Sequence, residues 1–214
     1  AKMDNGNLPI DTSSKDVNKG EQIVIKFEKR EGLTTITLKN ENKDALIEIP
    51  SEITEITFKL DPASDKNFDI KLPSNSDITI KLDPTSKSSI KNGQGTLTLD
   101  KSDGSNEDEI SISSIQPSST DFELIPKVNL IVDELDLFGS NSLKVKSGEN
   151  PNTKVGIKKV KVQQNSHVKI ENAALTDTVV IGLGSSLEID KNVDLEGSSL
   201  DFPYDLAQSS DGKA

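Results

Sequence analysis

His167 is the only histidine of this 214-residue chain, and the chain contains no cysteine. Catalysis by a triad needs a histidine that accepts a proton from a nucleophile, so His167 is the single residue that could take this part. It stands in the run NSHVKI, where it alternates with Val168 and Ile170. In a β-strand this alternation turns the imidazole away from the apolar face. We therefore predict an exposed histidine without a catalytic role.

Phosphate-binding and nucleophile motifs need fixed glycine spacings that this sequence lacks. It has no P-loop and no G-x-S-x-G elbow. The run GLGSS (182–186) has neither the spacing of a dinucleotide fingerprint nor a helical pattern after it. These glycines are therefore predicted to be turn residues, and we predict no cofactor.

Acidic side chains are the remaining candidates for catalysis. Two carboxylates placed across a glycosidic bond could hydrolyse it. Asp69, Glu123 and Glu188, however, alternate with apolar residues in the same way as Lys144, which is the pattern of a solvated strand face. Carboxylates that act as acid or base need burial or a close like charge. We predict that no single side chain is catalytic and that the protein is not an enzyme.

The densest acidic segment is DKSDGSNEDE (100–109). Calcium takes about six to eight oxygen ligands. The side chains that could supply several of them are Asp100, Asp103, Asn106, Asp108 and Glu109. Their spacing differs from the D-x-D-x-D-G pattern with a distal glutamate. A hydrated acidic turn fits the segment better, so we predict no metal ligand and keep calcium as the alternative.

Short runs of alternating apolar and polar residues recur along the chain. Examples are IVIKF (23–27), TITL (35–38), ITFKL (56–60), ITIKL (78–82) and NLIV (129–132). In a strand, such alternation sends every apolar side chain to one face. No window has a sustained 3.6-residue apolar period. The sequence therefore predicts an all-β protein with essentially no helix.

The phrase ITFKLDPAS (56–64) returns as ITIKLDPTS (78–86), 22 residues later. Pro62 and Pro84 each follow a strand pattern, and proline has no N–H to give to a sheet, so both mark the exit of a strand. We interpret the repeat as one coil of a solenoid that is written twice. The stacking that this predicts is Ile56, Phe58 and Leu60 beneath Ile78, Ile80 and Leu82.

A second phrase recurs in the other half of the chain. It occurs as SNSLKV (140–145), QNSHVKI (164–170), GSSLEI (184–189) and GSSLDF (197–202). Each copy places small polar residues, which suit tight stacked turns, just before a strand. This phrasing resembles that of parallel β-helix proteins on bacterial surfaces, including secreted adhesins. The resemblance covers roughly residues 51–204 and implies architecture and a surface setting.

Many enzymes with this fold are polysaccharide lyases, which use a basic residue beside carboxylates that hold calcium. The only arginine, Arg30, lies outside residues 51–204, so the resemblance implies no matching catalytic position. An antiparallel β-sandwich remains the alternative fold. It is favoured by the hairpin signal DG (103–104) and by the like-charge contact of Lys59 with Lys81 that the stacking predicts.

Composition limits the shape and the partners. Hydrophobic residues are 32% of the chain and aromatic residues 3%, so a thin, elongated core is better supplied than a thick one. The net charge of −11 repels phosphate backbones and anionic lipid surfaces. We predict no nucleic-acid partner, and a membrane association only through a lipid anchor upstream of residue 1.

The sequence as a whole predicts a single-stranded parallel β-helix with a small N-terminal β cap. The predicted divisions are a flexible leader (1–19), a cap (20–50), a solenoid of roughly seven coils (51–204) and a disordered tail (205–214). The expected function is that of a non-enzymatic structural or adhesive protein, secreted or at the cell surface as a bacterial outer-membrane lipoprotein. Its expected partner is a cell-surface glycan or protein, and the oligomeric state is left open. A secreted carbohydrate-binding or carbohydrate-active protein is the alternative.

Overall fold

The protein is a parallel β-solenoid. The computed structural model describes residues 5–12, 22–41, 44–102, 106–146 and 152–201. In these ranges the chain contains no helix and winds through about eight turns. Successive strands belong alternately to two nine-stranded sheets, so that odd-numbered strands form the first sheet and even-numbered strands the second. Eight turns lead from the first strand of a sheet to its ninth.

The first sheet contains nine strands in the order of the chain. They are β1 (Asn7–Asp11), β3 (Thr35–Lys39), β5 (Glu55–Leu60), β7 (Asp77–Leu82), β9 (Thr96–Lys101), β11 (Phe122–Pro126), β13 (Ser142–Val145), β15 (His167–Glu171) and β17 (Ser186–Ile189). The second sheet contains the other nine. They are β2 (Ile23–Lys26), β4 (Ala45–Glu48), β6 (Asn67–Lys71), β8 (Lys87–Gly93), β10 (Glu109–Pro117), β12 (Asn129–Leu137), β14 (Val155–Val162), β16 (Ala174–Ile181) and β18 (Ser199–Asp201).

Strand alternation builds one core between the two sheets. In β7, for example, Ile78, Ile80 and Leu82 are buried, whereas the residues between them are partly exposed. Phe58 of β5 and Phe68 of β6 meet across the core with ring centroids 5.9 Å apart. The core is thin because each turn adds only the few inward side chains of two short strands, as the composition predicts.

All strand pairings between the named strands are parallel, which confirms the predicted β-helix. The alternative of an antiparallel sandwich is wrong. The hairpin signal DG lies outside the described residues, but the strands on either side of it, β9 and β10, belong to different sheets. β9 and β10 therefore do not pair with each other, as the two strands of a hairpin would.

The repeated phrase forms the same corner twice. Asp61 Oδ1 accepts a hydrogen bond from the N–H of Ala63 (3.1 Å), and Asp83 Oδ1 accepts one from the N–H of Thr85 (2.9 Å). In both copies the serine that ends the phrase donates its N–H to the carbonyl oxygen of the aspartate, at 2.9 Å. Asp-Pro thus follows the end of a strand in both copies and begins a turn with the same hydrogen bonds.

The two copies stack in parallel, but the predicted register is wrong by two residues. Ile56 lies opposite Ile80 and Phe58 opposite Leu82, an offset of 24 residues (80 minus 56). The corner after β5 is longer than the corner after β7, because it runs from residue 61 to 66 rather than from 83 to 86. A shift of two keeps every apolar side chain on the inner face, since side chains alternate with a period of two.

The shifted register removes the like-charge contact that the unshifted one would create. Lys81 lies opposite Thr57 rather than Lys59, and its Nζ is 3.4 Å from Glu55 Oε1. On its other side Lys81 lies opposite Asp100. Like charges directly opposite each other destabilise a sheet. The register with opposite charges as neighbours is therefore the more stable one.

Polar side chains close the corners from inside. Asn40 is fully buried, and its side chain donates to the carbonyl of Asn67 (2.7 Å) and accepts from Thr12 Oγ1 (3.1 Å). At the opposite corners, Ser166 and Ser185 are buried, and the N–H of Ser166 donates to Ser185 Oγ (2.9 Å). These contacts confirm the inference that the small polar residues before the strands belong to stacked turns.

Strands β1 to β4 belong to the same two sheets as the later strands. The described parts of the predicted leader and cap therefore form coils that stack directly on the rest. The boundaries predicted at residues 19, 50 and 204 stay predictions. The predicted tail, 205–214, lies outside the described residues.

The two faces of β7 give a first test of the fold. Replacing Ile80, which is fully buried, by Asp places an unpaired charge in the core and should lower the free energy of unfolding by about 4 kcal/mol or more. Replacing the neighbouring Lys81 by Ser should change it by about 0.5 kcal/mol, because this side chain is on the outer face in a surface ion pair. Urea unfolding followed by circular dichroism measures both. Comparable losses would contradict the assignment of the faces.

Candidate functional site

Outward side chains of the two sheets form the surface on which a partner would bind. Strands β10, β12 and β14 each carry two consecutive outward residues between buried ones, which interrupts the strict alternation of the strand; the two residues are partly exposed in β10 and β12 and exposed in β14. The interruptions coincide, because Ser114 lies opposite Glu134 and Glu134 lies opposite Lys159. A row of polar side chains therefore runs from coil to coil along the solenoid.

Neighbouring strands of this row carry opposite charges. The outward acids of β12 are Asp133, Glu134 and Asp136, and the outward lysines of β14 are Lys158, Lys159 and Lys161. Glu134 and Asp136 lie directly opposite Lys159 and Lys161, and Glu134 Oε1 is 3.6 Å from Lys159 Nζ. The acidic strand is thus neutralised by its neighbour.

Asp133 is held between lysines from two other strands. Its Oδ2 lies 3.4 Å from Lys87 Nζ, and its Oδ1 lies 3.6 Å from Lys158 Nζ. Oδ1 is buried and accepts no hydrogen bond. The two lysine ammonium groups compensate the loss of hydration at this buried oxygen. The ion pairs therefore link side chains of β8, β12 and β14.

The acids singled out in the sequence are not brought together. Asp69 belongs to the second sheet, whereas Glu123 and Glu188 lie on β11 and β17 of the first, with β13 and β15 between them. Each acid forms an ion pair with a lysine. The pairs are Asp69 with Lys91 at 3.1 Å, Glu123 with Lys146 at 2.9 Å and Glu188 with Lys169 at 3.9 Å. Glycoside hydrolysis needs two carboxyl groups within about 10 Å of each other across the substrate. These three residues do not form such a pair.

His167 is exposed, as predicted, and has a partner that sequence reasoning missed. Its Nδ1 is 2.7 Å from Ser186 Oγ, on the neighbouring strand β17. The sequence could have predicted this contact, because aligning the two copies NSHVKI and GSSLEI of the second phrase places the histidine at the position of this serine. A triad also needs an acid on the other ring nitrogen, and the described residues supply none. The pair is therefore a cross-strand hydrogen bond on a solvated face.

The acidic segment 100–109 is described only in part, because residues 103–105, including Asp103, lie outside the described ranges. Asp100 is an outward residue of β9 opposite Lys81. Asn106, Asp108 and Glu109 are exposed. Within the described ranges, no three acidic or histidine side chains are placed so that they could hold a metal ion.

A groove of about 780 Å³ lies at the N-terminal end of the solenoid. Its walls come from β1, β2, β3 and the chain that follows β2, and Phe27 supplies an aromatic ring. The charged side chains along it are Asp11, Lys26, Glu28, Arg30, Lys39 and Asp61. Sequence reasoning missed this groove, because it joins residues from three coils whose stacking the local pattern does not give.

The fold defines the class of the protein, a single-stranded parallel β-solenoid. Comparison of the chain with models of protein families, with curated proteins and with solved structures finds no match. None of the described residues belongs to a helix that is long and apolar enough to cross a bilayer.

The row of opposite charges leads to a test. Replacing Glu134 by Lys puts two lysines directly opposite each other and should lower the free energy of unfolding by about 1 kcal/mol at low salt, with a smaller loss at high salt because ions screen the repulsion. Glu52→Lys is the matched control. Glu52 is an exposed corner residue without an ion-pair partner among the described residues, so the change should be within about 0.5 kcal/mol. Equal losses of stability in the two variants, or a loss that does not depend on salt, would contradict a stabilising contact between Glu134 and Lys159.

Proposed function

We propose that the protein is a non-enzymatic structural or adhesive element of the cell surface. The observation that supports this most is the placement of charge. The outward acids Asp69, Glu123, Glu134 and Glu188 each lie beside a lysine and not beside one another. Acid–base chemistry with carboxylates needs them to converge on one place, whereas a solvated rod needs a polar face of mixed charge.

The dimensions of the fold are consistent with a spacer. Nine strands in each sheet, at a spacing of about 4.8 Å between neighbours, give a rod about 40 Å long. Each described strand pairs in parallel with the strand of the next turn, and polar contacts join several of the described corners. Such an element holds whatever it carries at a fixed distance from its point of attachment.

A surface location is part of the proposal, by secretion or through a lipid anchor of the bacterial outer-membrane type. It rests on the resemblance of the corner phrases to surface β-helix proteins and on the polar, lysine-rich outer faces. The partner would be a cell-surface glycan or another protein. Binding would be spread over several outward side chains along the rod, because none of the described strand faces concentrates aromatic groups and the outward acids of β12 lie beside the lysines of β14.

The N-terminal groove supports the alternative, a protein that binds or processes carbohydrate. It combines an aromatic ring, Phe27, with the carboxylates of Asp11, Glu28 and Asp61. Its volume of about 780 Å³ is within the range of small-molecule sites, about 300–1,000 Å³. The carboxylates are interleaved with Lys26, Arg30 and Lys39, however, and this mixture is less suited to a catalytic pair than to an ionic network.

The experiment that separates the two functions is a combined binding and turnover screen. Neutral and charged polysaccharides, with and without calcium, and immobilised surface proteins are offered to the full chain. We expect binding without turnover, and single changes on the outer face such as Lys158→Ala and Lys161→Ala should each weaken it less than about tenfold. Turnover that is abolished by Glu28→Gln or Asp61→Asn, with an unchanged circular dichroism spectrum, would overturn the non-enzymatic proposal.

A further inference from the structure

Three successive corners that lead from the second sheet to the first carry almost no charge. They follow β10, β12 and β14 and comprise residues 118–121, 138–141 and 163–166. Asp121 is the only charged residue in them, although charged residues are 29% of the chain. The corners on the opposite edge differ, since 61–66 alone contains three charged residues. The uncharged corners therefore form a distinct surface of the rod.

Backbone hydrogen bonds fix these corners to one another. The N–H of Ser142 donates to the carbonyl oxygen of Ser119 (3.0 Å), and the N–H of His167 donates to that of Gly139 (2.7 Å). Gly139 also donates its own N–H to Ser166 Oγ (3.0 Å). Described corners lie on both sides of the three, at 94–95 and 182–185. A ligand would meet a backbone that is already in place, which lowers the cost of binding.

Large side chains with unused binding capacity project from these corners. Phe138 is 42% exposed. Gln163 follows Val162, which lies opposite Leu137, so it lies next to Phe138 on the neighbouring coil. Gln163 and Gln164 are both exposed, and neither side-chain amide forms a hydrogen bond with another described residue. Each amide can donate two hydrogen bonds and accept two, so an aromatic ring and two available amides lie side by side.

Ser119 adds a hydroxyl group on the other side of Phe138. The register of β10 with β12 places Ser118 and Ser119 beside Phe138. Ser118 Oγ donates to Asn92 Oδ1 (2.9 Å), whereas Ser119 Oγ is buried and has no partner among the described residues. Buried hydroxyl groups are normally paired. Because Ser119 as a whole is partly exposed, another staggered χ1 rotamer would turn its hydroxyl outwards without breaking a hydrogen bond.

We propose that the corner patch formed by Ser119, Phe138, Gln163 and Gln164 binds an uncharged glycan. This inference rests on the proposed adhesive function and names the class of its partner. A charged partner would lose hydration at a surface that offers almost no opposite charge. Sugar hydroxyl groups donate and accept hydrogen bonds, as the two amides and the serine hydroxyl do. The apolar face of a sugar ring can cover the exposed ring of Phe138.

The size of the corner patch favours a glycan over a protein. Three successive corners extend about 10 Å along the rod at a spacing of about 4.8 Å, whereas a stable protein interface covers about 800 Å² on each partner. A linear glycan needs only a narrow strip and can run from corner to corner. Phe138 is the one exposed phenylalanine among the described residues, so we expect it to contribute most to the affinity.

Affinity electrophoresis of the full chain, in gels that contain a soluble neutral glucan or mannan, tests the proposal. Polygalacturonate is the anionic comparison. The unaltered protein should be retarded by a neutral polysaccharide and not by polygalacturonate. Phe138→Ala should weaken this binding about tenfold, as should the double variant Gln163→Ala, Gln164→Ala, whereas Phe138→Tyr keeps the ring and should change it less than about twofold. Phe27→Leu is the matched control, because it removes the ring of the N-terminal groove, and it should bind like the unaltered protein.

The other occupants give different results. Weaker binding of the Phe27 variant but not of Phe138→Ala would place the glycan in the groove and overturn the inference. Retardation by polygalacturonate alone, or binding only to an immobilised surface protein, would overturn it and leave the proposed adhesive function intact. Dimerisation in sedimentation experiments that Phe138→Ala abolishes would identify a second copy as the occupant and overturn it too. Binding to none of these partners would overturn it together with the adhesive function.

Discussion

Stacking of inward side chains from one coil to the next is the interaction on which the whole structure depends. Each turn contributes so few apolar groups that it has no core of its own, and only its neighbours complete one. Size is matched locally within this stack: a β-carbon added to Gly93 would lie 2.8 Å from the ring of Phe122, so the large side chain occupies the space that the glycine leaves. Because the core is continuous, disturbance of one turn removes packing from the turns on both sides.

The charges on the outer faces are compatible with this stacking of coils. Parallel pairing places outward residues of successive strands about 4.8 Å apart, so a row of like charges would repel along the rod. Opposite charges alternate in part of such a row, as in Lys26, Glu48 and Lys71, where Glu48 lies 3.7 and 3.8 Å from the two lysines. The row continues with Lys91 opposite Lys71, and Lys91 lies 3.1 Å from Asp69. Individual surface ion pairs stabilise little, but they distinguish one register from another. The same alternation gives the protein a polar surface of mixed charge, which is the basis of the proposed role as a spacer or adhesive element.

Sequence patterns predicted the features that depend on neighbouring residues. Alternation predicted the strands and the exposure of His167, and Asp-Pro predicted the corners after β5 and β7. The register of these strands was not predictable in the same way, because a shift by two residues preserves which side chains face inwards. It is decided by corner length and by contacts such as that of Lys81 with Glu55, which join different coils. The groove beside Phe27 was not predicted for the same reason, since residues of three different coils line it.

The most direct test of this account is the register between β5 and β7. The chain has no cysteine, so a pair of introduced cysteines reports a single contact. Thr57→Cys with Lys81→Cys places the two thiols on residues that lie directly opposite each other, and oxidation should form an intramolecular disulfide rapidly and almost completely. Lys59→Cys with Lys81→Cys tests the register offset by 22 residues and should cross-link much more slowly. Faster or more complete cross-linking of the second pair would contradict the register, and with it the stacking on which the fold and the charge rows are based.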